Sequence, residues 1–197
     1  MTRNARLVVL LSAFLAGLVI CFGVVFYAME LTRRPGATQA SAVGGPFTLT
    51  DQDGRRVTEQ DYKGKPFLVF FGFTHCPDIC PTTLFEVSEV MRALGPDAAR
   101  TQALFITVDP ERDTPKVMGD YLSSFDPRLR GLTGTPAEID AAAKAYRAYY
   151  RKVPIEGGYT MDHMATVYLM DKDGRFVAPF NLKRTPAAAA ADLRRYF

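Results

Sequence analysis

The stretch Thr74-His75-Cys76-Pro77-Asp78-Ile79-Cys80-Pro81 decides the fold, because two thiols sit where an apolar run changes into a helical pattern. Before it, Phe67 to Phe73 is apolar without polar alternation, as expected of a central strand buried on both faces. After it, Leu84, Val87, Met91 and Leu94 recur at spacings of three and four until Gly95-Pro96 stops the pattern. Asp78 reads as the N-cap, with Cys80 in the first helical turn and Cys76 in the preceding loop. Free amide groups and the helix dipole at that end are expected to lower both thiol pKa values. A thiolate is both a nucleophile and a soft metal ligand, so the stretch by itself admits redox chemistry or metal binding.

The remaining segments supply an α/β frame. Ala103 to Val108 reads as a second buried strand. Thr114-Pro115, Thr135-Pro136 and Thr185-Pro186 each place a hydroxyl cap before a proline at a first helical position, and Thr135 with Glu138 forms a capping box. Lys152 to Tyr159 reads as a loop or small hairpin, and Asp171-Lys172-Asp173-Gly174 as a turn joining strands Thr166 to Met170 and Arg175 to Ala178. The order β-β-β-α-β-α-α-β-β-α, with cysteines at the first strand-to-helix junction, predicts a thioredoxin-like three-layer domain with a mixed central sheet. Phe47, Phe67, Phe70 and Phe71 are assigned to its core.

Ahead of the domain, Leu7 to Met29 is apolar and uncharged, and about 20 such residues span a bilayer as a helix. The run is too long for a signal-peptide h-region, so it reads as an uncleaved transmembrane anchor, and Cys21 as an ordinary apolar residue within it. The expected organisation is a flank at 1–6, the anchor at 7–29, a linker at 30–45 and the domain at 46–197. With 197 residues, 23% charged and a net charge of +3, the chain shows no basic character strong enough to argue for nucleic acid.

Three cysteines and two histidines limit the chemistry. A redox thioredoxin motif has two residues between its cysteines; here there are three. A thioredoxin also carries a proline before the strand facing its thiols, whereas this chain has Thr160-Met161-Asp162-His163-Met164-Ala165. His163 is therefore placed to reach both sulfurs. Soft sulfur ligands select Cu(I), zinc or iron–sulfur, an imidazole also accommodates Cu(II) and zinc, and a structural zinc site would want a fourth protein ligand. Copper suits the incomplete set better, because a carrier must release its metal. His75 reads as a neighbour of the site, not a ligand.

Three ordered blocks carry a family resemblance: Gly64-Lys65-Pro66 through Pro81-Thr82-Thr83-Leu84, then Thr107-Val108-Asp109-Pro110-Glu111-Arg112-Asp113-Thr114-Pro115, then Asp162-His163 before Tyr168-Leu169. Together they resemble the SCO/SenC family over Pro46 to the C-terminus. That resemblance implies a thioredoxin-like, membrane-anchored copper chaperone that serves the dinuclear copper (CuA) centre of cytochrome c oxidase subunit II. It implies Cys76, Cys80 and His163 as copper ligands, an upstream copper donor and a thiol reductant as further partners, and a domain on the periplasmic side of a bacterial inner membrane. Family members often have serine where this chain has Met164; its thioether is a soft donor, but strand alternation assigns it to packing. Asp162 is expected to orient the histidine loop, and Asp109 and Asp113 to lie at the sheet edge where α/β sites form.

Two enzymatic readings compete. Cys76 and Cys80 as attacking and resolving thiols would make a thiol–disulfide oxidoreductase that reduces the acceptor's cysteines. Phe71 to Pro77 also resembles the peroxiredoxin approach to its reactive cysteine, but that family has a threonine three positions earlier, and position 73 here is phenylalanine.

Overall fold

The computed structural model describes residues 15–27 and 43–197. The chain divides into a unit from Met1 to Ala40 and a second from Ser41 to Phe197. In the first, residues 15–27 form a helix, α1, with exposed apolar side chains such as Leu18, Phe22 and Phe26. The rest of the apolar run read as an anchor lies outside the described residues. Among the described residues no helix is long and apolar enough to cross a membrane.

The second unit is built on β1 (Thr48–Asp51), β2 (Arg56–Thr58), β3 (Phe67–Gly72), β4 (Gln102–Thr107), β5 (Leu129–Thr133), β8 (Val167–Met170) and β9 (Phe176–Pro179). They form one sheet in the order β2-β1-β5-β4-β3-β8-β9. The β3–β4 and β4–β5 pairs are parallel; β3–β8, β8–β9, β1–β5 and β1–β2 are antiparallel. This is the mixed sheet expected from the chain order. Every residue of β3 is buried, which accounts for its unbroken apolar run.

Helices cover both faces. Gly72, Phe105 and Gly131 point to one side, towards α2 (Ile79–Leu94) and α3 (Pro115–Leu122), since a Cβ at Gly72 would meet Cys80 and one at Gly131 would meet Leu122 and Met118. The last helix, α5 (Pro186–Arg194), packs on α2. On the other side Phe71 and Tyr168 meet Tyr146, at the end of α4 (Pro136–Tyr146), with ring centroids 5.5 and 5.9 Å away. The three Thr-Pro pairs do cap α3, α4 and α5: Thr114, Thr135 and Thr185 accept from the amides of Val117, Glu138 and Ala188.

Two elements differ from the expectation. Leu129–Thr133 forms β5 although its sequence is interrupted by Arg130 and Gly131; the glycine lets α3 lie against the sheet, where any side chain would collide. The stretch read as a loop or small hairpin is a hairpin, but a longer one, β6 (Tyr150–Ile155) and β7 (Gly158–His163), apart from the main sheet. Its mostly exposed residues bury too little apolar surface to leave a clear period. His163 is the last residue of β7, so a paired strand carries it, not a loop.

Candidate metal centre

The site forms where three segments converge at the C-terminal end of β3. The first is the loop from Phe73 to Asp78. Its turn is closed by the Cys76 amide donating to Phe73 O at 3.3 Å. Asp78 stands at the N-cap position but its side chain makes no capping bond. The Cys80 amide donates instead to Cys76 Sγ at 3.4 Å, so a thiol takes the place expected for the carboxylate.

The second segment is the histidine at the end of β7. His163 Nε2 lies 3.4 Å from Cys80 Sγ, and the three donor atoms of Cys76, Cys80 and His163 lie within 4.8 Å of one another. The ring is wedged edge-on against Phe73 and Phe70, with centroids 5.6 and 6.2 Å apart. His163 Nδ1 lies 3.1 Å from the Met164 carbonyl. A carbonyl can only accept, so this contact places the ring proton on Nδ1 and turns the Nε2 lone pair towards the sulfurs. Met164 is 40% exposed instead of packed, because β7 ends one residue earlier and strand alternation no longer governs its side chain.

The third segment, between β4 and α3, braces the other two. Asp113 is fully buried and accepts from the Thr74 amide at 3.0 Å, the Thr74 hydroxyl at 2.6 Å and the Thr107 hydroxyl at 2.6 Å. It thereby fixes the start of the cysteine loop. His75 stands beside this network, its Nδ1 3.0 Å from Thr74 Oγ1 and 3.8 Å from Asp113 Oδ1. Asp109, also buried, pairs with Arg112 and accepts from the Tyr159 hydroxyl at 2.9 Å. Arg112 in turn donates to Tyr159 O at 3.2 Å and stacks over that ring at 3.9 Å. Asp109 thus ties the hairpin bearing His163 to the segment holding the cysteine loop. Asp162 does not join this network; its carboxylate is 3.5 Å from Arg151 on the neighbouring strand, and the Met164 carbonyl has the position next to His163.

Reading the residues one by one overlooked Arg112 and Tyr159 as braces, although Arg112 lies inside the Asp109 to Asp113 block. It also overlooked Tyr121, whose buried hydroxyl has no hydrogen-bond partner among the described residues. Burial pushes the Tyr121 phenol up, and the nearby Cys80 and Cys76 sulfurs push it further.

The expected acidification fails for Cys80. Its side chain is buried, and desolvation drives its thiol pKa strongly upward, with Cys76 adding to the rise and a hydrogen bond from the Phe73 backbone opposing it. The helix N-terminus is too weak an influence to offset removal from water. Cys76 is partly exposed, so the two thiols differ in access. A neutral alkylating reagent should therefore modify Cys76 first. Peptide mapping after brief iodoacetamide treatment is expected to find Cys76 labelled at least about tenfold faster than Cys80; equal rates would show that Cys80 is open to solvent.

Gly72 sets how closely the sulfur approaches the sheet. A Cβ there would lie 2.7 Å from Cys80 Sγ and 2.6 Å from Phe105 Cε2. Gly72→Ala should destabilise the domain by about 1–3 kcal/mol through overpacking and displace Cys80 from the other donors. A urea titration and a copper-content assay read the two effects; a variant unchanged in both would mean that Phe105 and Cys80 move aside freely.

The SCO1/SenC family model matches residues 35–197. The chain belongs to the SCO1/SenC family. This SCO1/SenC protein is 41% identical over 158 residues to the mitochondrial SCO1 homolog of Homo sapiens, covering 77% of this chain and 52% of the human protein. It thus spans about half the length of that curated relative. Among solved structures it is similar to copper-bound Bradyrhizobium japonicum ScoI, with a TM-score of 0.77, 65% identity, and coverage of 79% of this chain and 99% of ScoI. A second, BsSco, is described as a member of the Sco family of cytochrome c oxidase assembly proteins with a disulfide switch; it gives a TM-score of 0.62 and 28% identity, covering 77% and 91% of the two chains.

Proposed function

We propose that this protein is a membrane-anchored copper chaperone that holds copper through Cys76, Cys80 and His163 and passes it to the CuA centre of cytochrome c oxidase subunit II. The observation that carries the reading is the convergence of two thiols and one imidazole, from elements 83 residues apart, with the imidazole lone pair aimed at a sulfur. Soft sulfur donors favour Cu(I), and the imidazole accommodates Cu(II) as well. The copper-bound ScoI relative and the oxidase-assembly description of BsSco support the same direction.

The chemistry suits a cargo site. Cys80 is buried and rigidly placed, while Cys76 and His163 are partly exposed, so an acceptor's thiolate or imidazole would replace the outer donors first. Because burial keeps the Cys80 thiol protonated at neutral pH, copper entry must expel its proton. Copper affinity is therefore expected to fall as pH falls, by about tenfold per unit for each thiol proton displaced. Competition titrations between about pH 6 and 8 read the slope, and a flat profile would mean that the thiols are not the ligands.

The apolar run at 7–29 is read as a single membrane anchor, which would hold the domain at the periplasmic face of a bacterial inner membrane, with an upstream donor supplying copper and a thiol reductant keeping the cysteines reduced. X-ray absorption on the copper-loaded protein tests the ligand set: two sulfurs and one imidazole nitrogen are expected, and a third sulfur would bring Met164 into the set.

A second reading has its own support. Both site cysteines are free thiols with their sulfurs within 4.8 Å of each other, close enough for a disulfide to form with modest movement of the loop. As a thiol–disulfide oxidoreductase, the partly exposed Cys76 would attack the acceptor's disulfide and Cys80 would resolve the mixed disulfide. The two electrons would come from the Cys76–Cys80 dithiol, which ends as the disulfide. Trapping a Cys80→Ala variant on an oxidised acceptor peptide would support this role, and His163→Ala would leave it intact.

A further inference from the structure

At the end of the domain opposite the metal centre, a cleft of about 380 Å³ is lined by Lys63, Lys65, Arg100 and Lys172 above the rings of Tyr196 and Phe197. Lys63 to Pro66 run directly into β3, and that strand's six residues, roughly 20 Å, separate the cleft from the cysteine loop. Other basic side chains have carboxylate partners: Arg194 pairs with Asp97, Arg175 with Asp173 and Arg184 with Asp192. The four in the cleft do not. Among the described residues none of them forms an ion pair with a side-chain carboxylate. Lys65 Nζ donates to the Ala99 carbonyl at 3.1 Å and Arg100 stacks over Phe197 at 4.8 Å, contacts that position the cations without cancelling their charge. No acidic side chain is among those that line the cleft.

The cleft also lies where the chain enters the domain. Gly45 and Pro46 share a small cavity with Glu59, Lys63, Phe67 and Gly174, and the Gly44 amide is fastened to the Ala145 carbonyl at 2.9 Å. The first described residues of the domain, Gly44 to Pro46, therefore lie at the cationic end.

We propose that this cleft docks the phosphate groups of anionic phospholipids, turning the cationic end of the domain to the bilayer and the metal centre away from it. The inference rests on the anchor reading given above, which keeps the domain within reach of a lipid surface. Four cations without a direct carboxylate partner around a pocket fit phosphodiester headgroups, and the aromatic residues of its lining fit their glycerol and upper acyl carbons. Each basic residue near an anionic surface strengthens attachment roughly fivefold.

Sedimentation with vesicles tests the idea on residues 43–197, whose core, from Phe47 to Leu193, is contained within the second unit. Vesicles of equal parts phosphatidylglycerol and phosphatidylcholine should retain the domain, and pure phosphatidylcholine should not. Lys65→Glu with Lys172→Glu should weaken retention at least about tenfold while leaving the melting temperature and copper content unchanged. Lys63→Gln with Arg100→Gln, a gentler pair, should weaken it about fivefold or more. Equal retention on both vesicles, undiminished retention of both variants, or failure to bind vesicles with saturable binding of inorganic phosphate would overturn the proposal, the last by naming a free anion as the occupant. Carbonate extraction of the full chain from membranes tests the anchor separately: release of the chain would sink the anchor, whereas loss of vesicle binding by the domain would sink only the cleft.

Discussion

His163→Ala is expected to abolish stoichiometric copper binding while leaving a folded domain. The imidazole contributes one of the three donor atoms that lie within 4.8 Å of each other, and it is only partly buried, so its removal opens no large cavity. Loss of a partner that merely orients a metal ligand costs about 10- to 100-fold in affinity, so loss of a ligand should exceed the upper figure. Cu(II), which prefers nitrogen more than Cu(I) does, should be lost first; two thiolates could still hold Cu(I) weakly. Metal analysis after desalting, beside a thermal melt, separates the two effects. A variant that keeps one copper per chain with an unchanged absorption spectrum would end the three-donor description. Cys80→Ala should be as damaging to copper binding, but it changes a fully buried side chain and is expected to lower stability as well.

The second large effect is expected at Asp113, which touches no donor atom. Its carboxylate is fully buried and satisfies three donors, the Thr74 amide and the hydroxyls of Thr74 and Thr107. Asp113→Ala leaves those donors without their acceptor, and a buried unsatisfied group costs about 1–3 kcal/mol. A net loss of about 3 kcal/mol is expected, which for a domain of this size lowers the melting temperature by about 10 °C. Copper affinity should fall too, since Thr74 begins the loop that carries Cys76. Asp113→Asn keeps the volume but turns an amide hydrogen towards donors, so it should recover only part of the loss. Denaturant unfolding with copper titration reads both quantities. Full stability in the alanine variant would mean that water replaces the carboxylate and that the brace is dispensable.

The contrast between these two residues shows what a sequence makes visible. His163 could be picked out because imidazoles are scarce in the chain and because the strand facing the thiols lacks the proline expected there. The apolar runs of β3 and β4 were legible for a similar reason: complete burial leaves no polar residue to interrupt them. The Thr-Pro caps were legible because the chemistry is local. Asp113 could be suspected from its block, but its work depends on Thr74, 39 residues away, and no local pattern encodes that pairing. The same holds for Arg112 and Tyr159, which meet across 47 residues. β5 escaped notice because Gly131, needed for close packing of α3, interrupts the strand pattern. The pKa of Cys80 was misread because helix position can be seen in a sequence and depth below the surface cannot.

The amide of Cys80 is tied to a sulfur that would also bind metal or enter a disulfide. Whatever takes up that sulfur's lone pairs competes with the first turn of α2 for them. The proton on this one nitrogen then becomes a clock for the state of the centre. Its solvent exchange should be slow while Cys76 is a free thiol and should change when copper or a disulfide occupies the sulfur. Hydrogen exchange at a single backbone position would thus follow loading and oxidation without any label on the metal.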